Sequence, residues 1–234
     1  MKKPTILITN DDGINALGLK MLISVMREFG RIVVVAPDKQ QSGKSHSITV
    51  GEILRVEKII EEENYVEYVT NGTPVDCVKL GKKVVLEGNP DLVVSGINHG
   101  SNATINVLYS GTMAAAMEAC IAGIPAIGFS LDDYSSNADF SQVKEVIKKI
   151  VREVLDNSLP VGTCLNVNIP AVSSNQIKGI RVCRQGRGYW NENFDSRLDP
   201  THKPYYWMKG EFVDTDEDTD TDYWALKNNY VSVV

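Results

Sequence analysis

Short apolar runs alternate with stretches of helical period through the first two thirds of the chain. "TILIT" (5–9) and "RIVVVA" (31–36) are continuous β-rich runs, the second closed by Pro37. Unbroken apolar character of this kind is expected of strands buried on both faces. Between them, Leu19, Leu22, Ile23 and Met26 recur at i, i+3, i+4 and i+7 and form one face of a helix over 16–29. "YVEYVT" (65–70) alternates as a half-buried strand does. "TPVDCVKL" (73–80) opens a helix, with Thr73 as N-cap, Pro74 at the first helical position and Asp76 in the first turn.

"DLVVS" (91–95) is a further strand, "GTMAAAMEACIAG" (111–123) an Ala-rich helix ending on Gly123, and "PAIGFS" (125–130) a strand. Residues 140–156 place Phe140, Val143, Ile147, Ile150, Val151 and Val154 on one helical face. Strands separated by helices predict βαβ units, hence an α/β fold with a parallel sheet covered on both sides. After Pro160 the pattern changes. "TCLNVNIP" (163–170) and "IKGIRVCRQ" (177–185) read as strands, and 186–212 is rich in aromatics, Gly and Pro without a helical period. That segment predicts a β-hairpin-bearing appendage, either a candidate oligomerisation arm or a local subdomain packed on its own core. The expected division is a catalytic core over 1–160 and a β-rich extension over 161–234 that completes the core and carries the arm.

Composition narrows the class. A hydrophobic fraction of 43% and a charged fraction of 23% over 234 residues suit a soluble globular protein with a full core. No apolar run approaches the ~18 residues of a membrane span, and the apolar run at the N-terminus is too short for a signal peptide. The four cysteines are widely spaced without a C-x-x-C pair, which favours reduced thiols and a cytoplasmic address. The net charge of −6 comes from "DTDEDTDTD" (214–222), whose removal leaves 24 acids against 24 bases. A neutral body without a basic stripe argues against a nucleic-acid polymer as partner. An EF-hand registered on Asp216 would lack Gly at its sixth position (Thr221) and Glu at its twelfth (Lys227). A solvated acidic loop is therefore expected.

Ligands of parallel α/β sheets bind beyond the carboxyl ends of the strands. The first strand delivers Asn10, Asp11 and Asp12 there, the second delivers "APDKQQSGKSHS", and 91–95 delivers "GINHGSN". Alone, "NDDG" is an ordinary turn, "SGKSHS" a surface loop and "SGTMAAA" a plain helix cap. Together they bring hard oxygen donors to one sheet edge, which suit Mg²⁺, Mn²⁺ or Ca²⁺ better than zinc. Two adjacent carboxylates cannot both ionise at close range without a counter-charge, which a cation supplies. The helix start at "YSGTMAAA" holds free N–H groups behind small residues and no acid before Glu118, a ready anion site. A cation beside an anion pocket is the layout for hydrolysing a phosphate ester.

Five ordered blocks carry a resemblance: "ILITNDDGINALG" (6–18), "VVVAPDKQQSGKSHSIT" (33–49), "TNGTPVDCVKLG" (70–81), "PDLVVSGINHGSN" (90–102) and "YSGTMAAAMEACIAGIPAIGFS" (109–130). They resemble the SurE family of stationary-phase survival proteins, metal-dependent nucleoside 5′-monophosphate phosphatases. The resemblance implies a Rossmann-like α/β core whose C-terminal arm supports a homodimer or homotetramer. It implies one divalent metal ion on Asp11, Asp12, Ser42 and Asn98, with Asp11 and Asp12 catalytic. It also implies a phosphate pocket of Asn102, Ser110, Gly111 and Thr112, and nucleoside 5′-monophosphates as substrates, with the choice between 5′ and 3′ phosphates left open. Where that family reads N-x-G-x-D, this chain has "NATIN" (102–106), with Thr104 and Asn106 at the Gly and Asp positions.

Two other readings stay open. An aspartyl-phosphate phosphatase would also use an Asp after the first strand, but its D-x-D spacing is absent. A non-catalytic, Mg-binding phospho-receiver would need a lone Asp closing a central strand, where Ser95 stands.

Overall fold

The computed structural model describes residues 3–135 and 137–234. In chain order the strands are β1 (Thr5–Thr9), β2 (Arg31–Pro37), β3 (Val56–Glu62), β4 (Tyr65–Thr70), β5 (Leu92–His99), β6 (Ala126–Leu131), β7 (Cys164–Ile169), β8 (Gly179–Val182), β9 (Gly188–Leu198), β10 (Pro204–Asp214) and β11 (Tyr230–Val233). The α-helices are α1 (Leu17–Met26), α2 (Pro74–Leu80), α3 (Gly111–Ile121), α4 (Lys144–Asn157) and α5 (Asp222–Lys227). Nine strands form one sheet in the order β3-β4-β2-β1-β5-β6-β7-β11-β8. The run from β4 to β7 is parallel; β3 is antiparallel to β4, and β11 is antiparallel to β7.

The α/β prediction therefore stands, with antiparallel pairings added on both sides of the parallel run. The apolar runs are continuous because both sheet faces are covered. Ile6 and Ile8 of β1 join one core with Leu19 and Leu22 of α1 and Ile147 and Val151 of α4. Leu7, between them, joins the opposite core with Cys77 and Val78 of α2 and Met113, Ala115 and Ala119 of α3. The alanines let α3 lie close to the sheet, and Gly128 of β6 leaves room for Met113, whose sulfur would stand 2.3 Å from a Cβ there.

Thr73 caps α2 in a reciprocal capping box with Asp76. α1 is shorter than the 16–29 period implied; Arg27 and the residues after it close a turn rather than extend the helix. β3 carries almost wholly exposed side chains, so it had no burial pattern to read. α5 and β11 are too short to show a period. β9 and β10 form the expected hairpin, a separate two-stranded antiparallel sheet.

The acidic run is less solvated than expected. Arg184 donates to Asp216 and Asp218, 2.5 and 2.7 Å away, and pairs with Asp220 at 3.0 Å. Asp222 is fully buried and accepts main-chain N–H groups from Thr104, Gly186 and Tyr223. A guanidinium and three N–H dipoles supply the compensation that water would otherwise give.

Candidate active site

β2, β1 and β5 are neighbours in the sheet, so the loops that follow them meet at one edge. At the turn after β1, Asn10 Nδ2 donates to Gly13 O at 3.0 Å, and Gly13 holds a φ of +98° open only to glycine at low cost. The turn is also tied sideways, since Gln41 N donates to Asp11 O at 2.7 Å. A cleft of about 260 Å³ opens there, lined by Asp11, Ser42, Asn98, Asn102 and Ser110 among others. Five of the expected site residues thus share one cavity. A larger cavity of about 680 Å³ lies elsewhere, around Lys3, Phe29 and Arg152.

The other three do not line that cleft. Thr112 is fully buried, and its hydroxyl donates to Asp11 Oδ1. Gly111 is buried too; a Cβ on it would come within 2.8 Å of Asp11 Cβ. Asp12 keeps Oδ2 buried without a hydrogen-bond partner. Gly111 and Thr112 therefore position Asp11 in this structure rather than face the cleft.

Burial pushes the Asp11 carboxyl up to about 6, against the Thr112 hydrogen bond, and the neighbouring Asp12 charge adds to the rise. Burial raises Asp12 as well, partly offset by His99. An acidic pair that keeps an unpartnered oxygen after these contacts calls for further positive charge. Among the described residues no three His, Cys, Asp or Glu side chains gather as a metal cage. The donor set is instead two carboxylates with the Ser42 hydroxyl and the Asn98 amide. Asn98 Nδ2 is spent on the carbonyls of His99 and Gly100, at 3.0 and 2.8 Å, which leaves its oxygen as the free donor. An oxygen-only set of this kind fits a hard divalent cation.

On the anion side, Ser110 Oγ accepts from Met113 N at 3.0 Å and caps α3. The N–H groups of Gly111 and Thr112 have no intrahelical partner at that end. Asn102 is held by residues that carried no motif. Its N–H donates to Asn168 Oδ1 at 2.7 Å, its carbonyl accepts from Asn166 Nδ2 at 2.9 Å, and Asn168 Nδ2 donates to Asn166 Oδ1. Its side chain donates to Ser130 Oγ at 2.8 Å. This ring fixes the loop after β5 to β6 and β7. His99, Asn106, Tyr109, Tyr134 and Trp190 complete the cleft wall. Of these, only His99 fell in a loop that the strand pattern singled out.

A family model described as "Survival protein SurE" matches residues 6–192. A protein named 5′-nucleotidase SurE from Christiangramia forsetii is 56% identical over 235 residues, covering 100% of this chain and 90% of the relative. Its namesake from Cytophaga hutchinsonii is 57% identical, covering 100% and 91%. The crystal structure of SurE from Aquifex aeolicus matches with a TM-score of 0.84 and 44% identity, over 98% of this chain and 92% of that one. The loops gathered at this sheet edge lie within the matched region, and the chain belongs to the SurE family.

Proposed function

We propose that the protein is a divalent-metal-dependent phosphatase that hydrolyses nucleoside 5′-monophosphates to nucleoside and phosphate. The observation that carries this reading is the buried Asp11, which lines one cleft with Ser110, the N-cap of α3, while the adjacent Asp12 keeps an unpartnered oxygen. The name 5′-nucleotidase on full-length relatives supports it.

Asp11, Asp12, Ser42 and Asn98 would hold the cation, which when bound acts as a Lewis acid on a phosphoryl oxygen and neutralises developing charge. Thr112 holds Asp11 in one rotamer, so the carboxylate needs little reorganisation. Ser110 and Asn102, which line the cleft, would orient the phosphoryl group by hydrogen bonds, with the α3 dipole behind them. The exposed aromatic hairpin supports assembly as a homodimer or homotetramer, and four free thiols support a cytoplasmic setting.

A panel of nucleoside 5′- and 3′-monophosphates, assayed with Mg²⁺ or Mn²⁺ and with EDTA, tests the reading. Metal-dependent phosphate release is expected, abolished by EDTA and by Asp11→Asn or Asp12→Asn in proteins that still melt cooperatively. Turnover that survives EDTA, or a blank across the whole panel, would overturn it. Beryllium fluoride trapped on a carboxylate would favour the aspartyl-phosphate alternative instead.

A further inference from the structure

The connection from β2 to β3, residues 38–55, holds no helix or strand, and it carries Ser42. Burial does not hold it in place, since its apolar side chains Ile48, Val50 and Ile53 are exposed. A segment with so little buried apolar surface keeps one conformation only where polar contacts fix it. Near its start it is tied to the acidic turn through Gln41 N and Asp11 O, and Gln40 Nε2 donates to Ser42 Oγ at 2.8 Å.

Further along, the tie is a single carboxylate. Asp76 of α2 is 2% exposed. Both its oxygens accept from Thr49 N, at 3.2 Å each, and Oδ2 accepts from the Thr49 hydroxyl at 2.6 Å. Oδ2 also accepts from Thr73 N at 2.9 Å, while the Thr73 hydroxyl donates to Ser47 O at 2.8 Å. A capping box needs only the bond to the N-cap N–H; the bonds to Thr49 go beyond what α2 requires. Hydrogen bonds to an ionised carboxylate are the strong kind. The anchor is rigid, because Cys77 and Val78 beside it are buried in the core under Leu7. It is also confined: a Cβ on Gly72 would stand 2.7 Å from that of Asp76.

We propose that Asp76 is a positioning residue for the metal site, holding the loop after β2 so that Ser42 meets Asp11 in the cleft. The inference rests on the phosphatase reading above and adds how its donor set is kept together. Asp76 itself does not line the cleft, so it acts through Thr49 and the loop. Residues that orient metal ligands in this way tune affinity without touching the ion.

The test reads Mn²⁺ binding by calorimetry and amide hydrogen exchange in metal-free protein. Asp76→Asn should raise the Mn²⁺ Kd about tenfold. Thr49→Val, which leaves the α2 cap intact, should shift it the same way, and decides alone if Asp76→Asn does not fold. Both should speed exchange across the loop and leave β1 and α3 unchanged. In a Ser42→Ala background neither change should raise the Kd further. An equal rise in both backgrounds, or an unchanged Kd in the folded variants, overturns the proposal. A wild type that binds no Mn²⁺ overturns it together with the metal-dependent reading. A wild type that binds Mn²⁺ but releases no phosphate overturns the phosphatase reading alone.

Discussion

His46 Nε2 lies 3.1 Å from Glu118 Oε2, a contact between residues 72 positions apart. The loop that carries Ser42 is thereby latched to α3, whose N-terminus presents Ser110. Lys79 of α2 takes the other Glu118 oxygen at 2.5 Å. Burial pushes the Glu118 carboxyl up, but hydrogen bonds from Lys79 and His46 outweigh it and hold it below its ordinary value. Glu118→Gln keeps the shape and removes the charge. The Mn²⁺ concentration for half-maximal activity should then rise about tenfold, as for other partners that orient metal ligands. An unchanged metal requirement in the activity assay would show that the latch does not position Ser42.

Gly111→Ala puts a Cβ 2.8 Å from that of Asp11, a separation that forces one of them to move. Alanine is a better helix former than glycine, so the helix itself should not suffer. Turnover should fall about 100-fold from a displacement of this kind, with a fall in melting temperature of only a few degrees. Parallel kinetics and thermal melts check it; full activity would mean that the Asp11 placement is not critical.

The folded-state pKa of Asp11, about 6, lies above its ordinary value of 3.8. Its contribution to stability is therefore fully present below pH 3.8 and is lost as pH rises through 6. The loss amounts to roughly 3 kcal/mol at neutral pH in metal-free protein. The stability of EDTA-treated wild type relative to Asp11→Asn should decline from pH 4 to pH 7, and Mn²⁺ should restore it. Urea titrations across that range measure the difference, and a flat difference would contradict the burial argument.

Asn168→Ala breaks the ring behind Asn102. It strands the buried Asn102 N–H and removes a donor to Asn166. A stability loss of about 1–3 kcal/mol is expected from the unsatisfied groups, together with a raised KM as the loop after β5 loosens. Denaturant melts and steady-state kinetics on the same preparation test both halves.

On the hairpin, Phe194, Tyr206, Trp207 and Met208 are exposed, at 59% or more. If the hairpin is where copies of the chain meet, Trp207→Glu with Met208→Glu, one change on each of its faces, should lower the mass seen by light scattering, with the sheet fold unchanged by circular dichroism. A monomeric wild type, or an unaltered oligomer, would remove the hairpin from assembly.

The sequence was most legible where burial was two-sided. β1, β2 and β5 read as strands because both their faces touch a core, and the loops after them were placed at one edge by the rule that ligands lie beyond the carboxyl ends of parallel strands. That placement let Asp11, Ser42 and Asn98, distant in sequence, be assigned to one edge. The assignment of Thr112 to the phosphate pocket could not anticipate that its hydroxyl turns inward to Asp11, since either use leaves the same residue at the same helix position. Tyr134 and Trp190 were invisible as cleft walls because they come from different elements, with no spacing to link them. β3 was missed for the opposite reason to β1: nearly all its side chains face solvent.

β11 follows β8 in sequence yet sits between β7 and β8 in the sheet. β8 pairs with β11 in the sheet, so during synthesis it must wait for a strand made some fifty residues later. The hairpin emerges in that interval, with its aromatic residues unsheltered and its anchor at Asp222 not yet made. The parallel half of the molecule, with the acidic pair already in place, can condense on the ribosome while this end is still waiting. Newly made chains should be most open to misassociation in that window, through the hairpin's exposed aromatic residues.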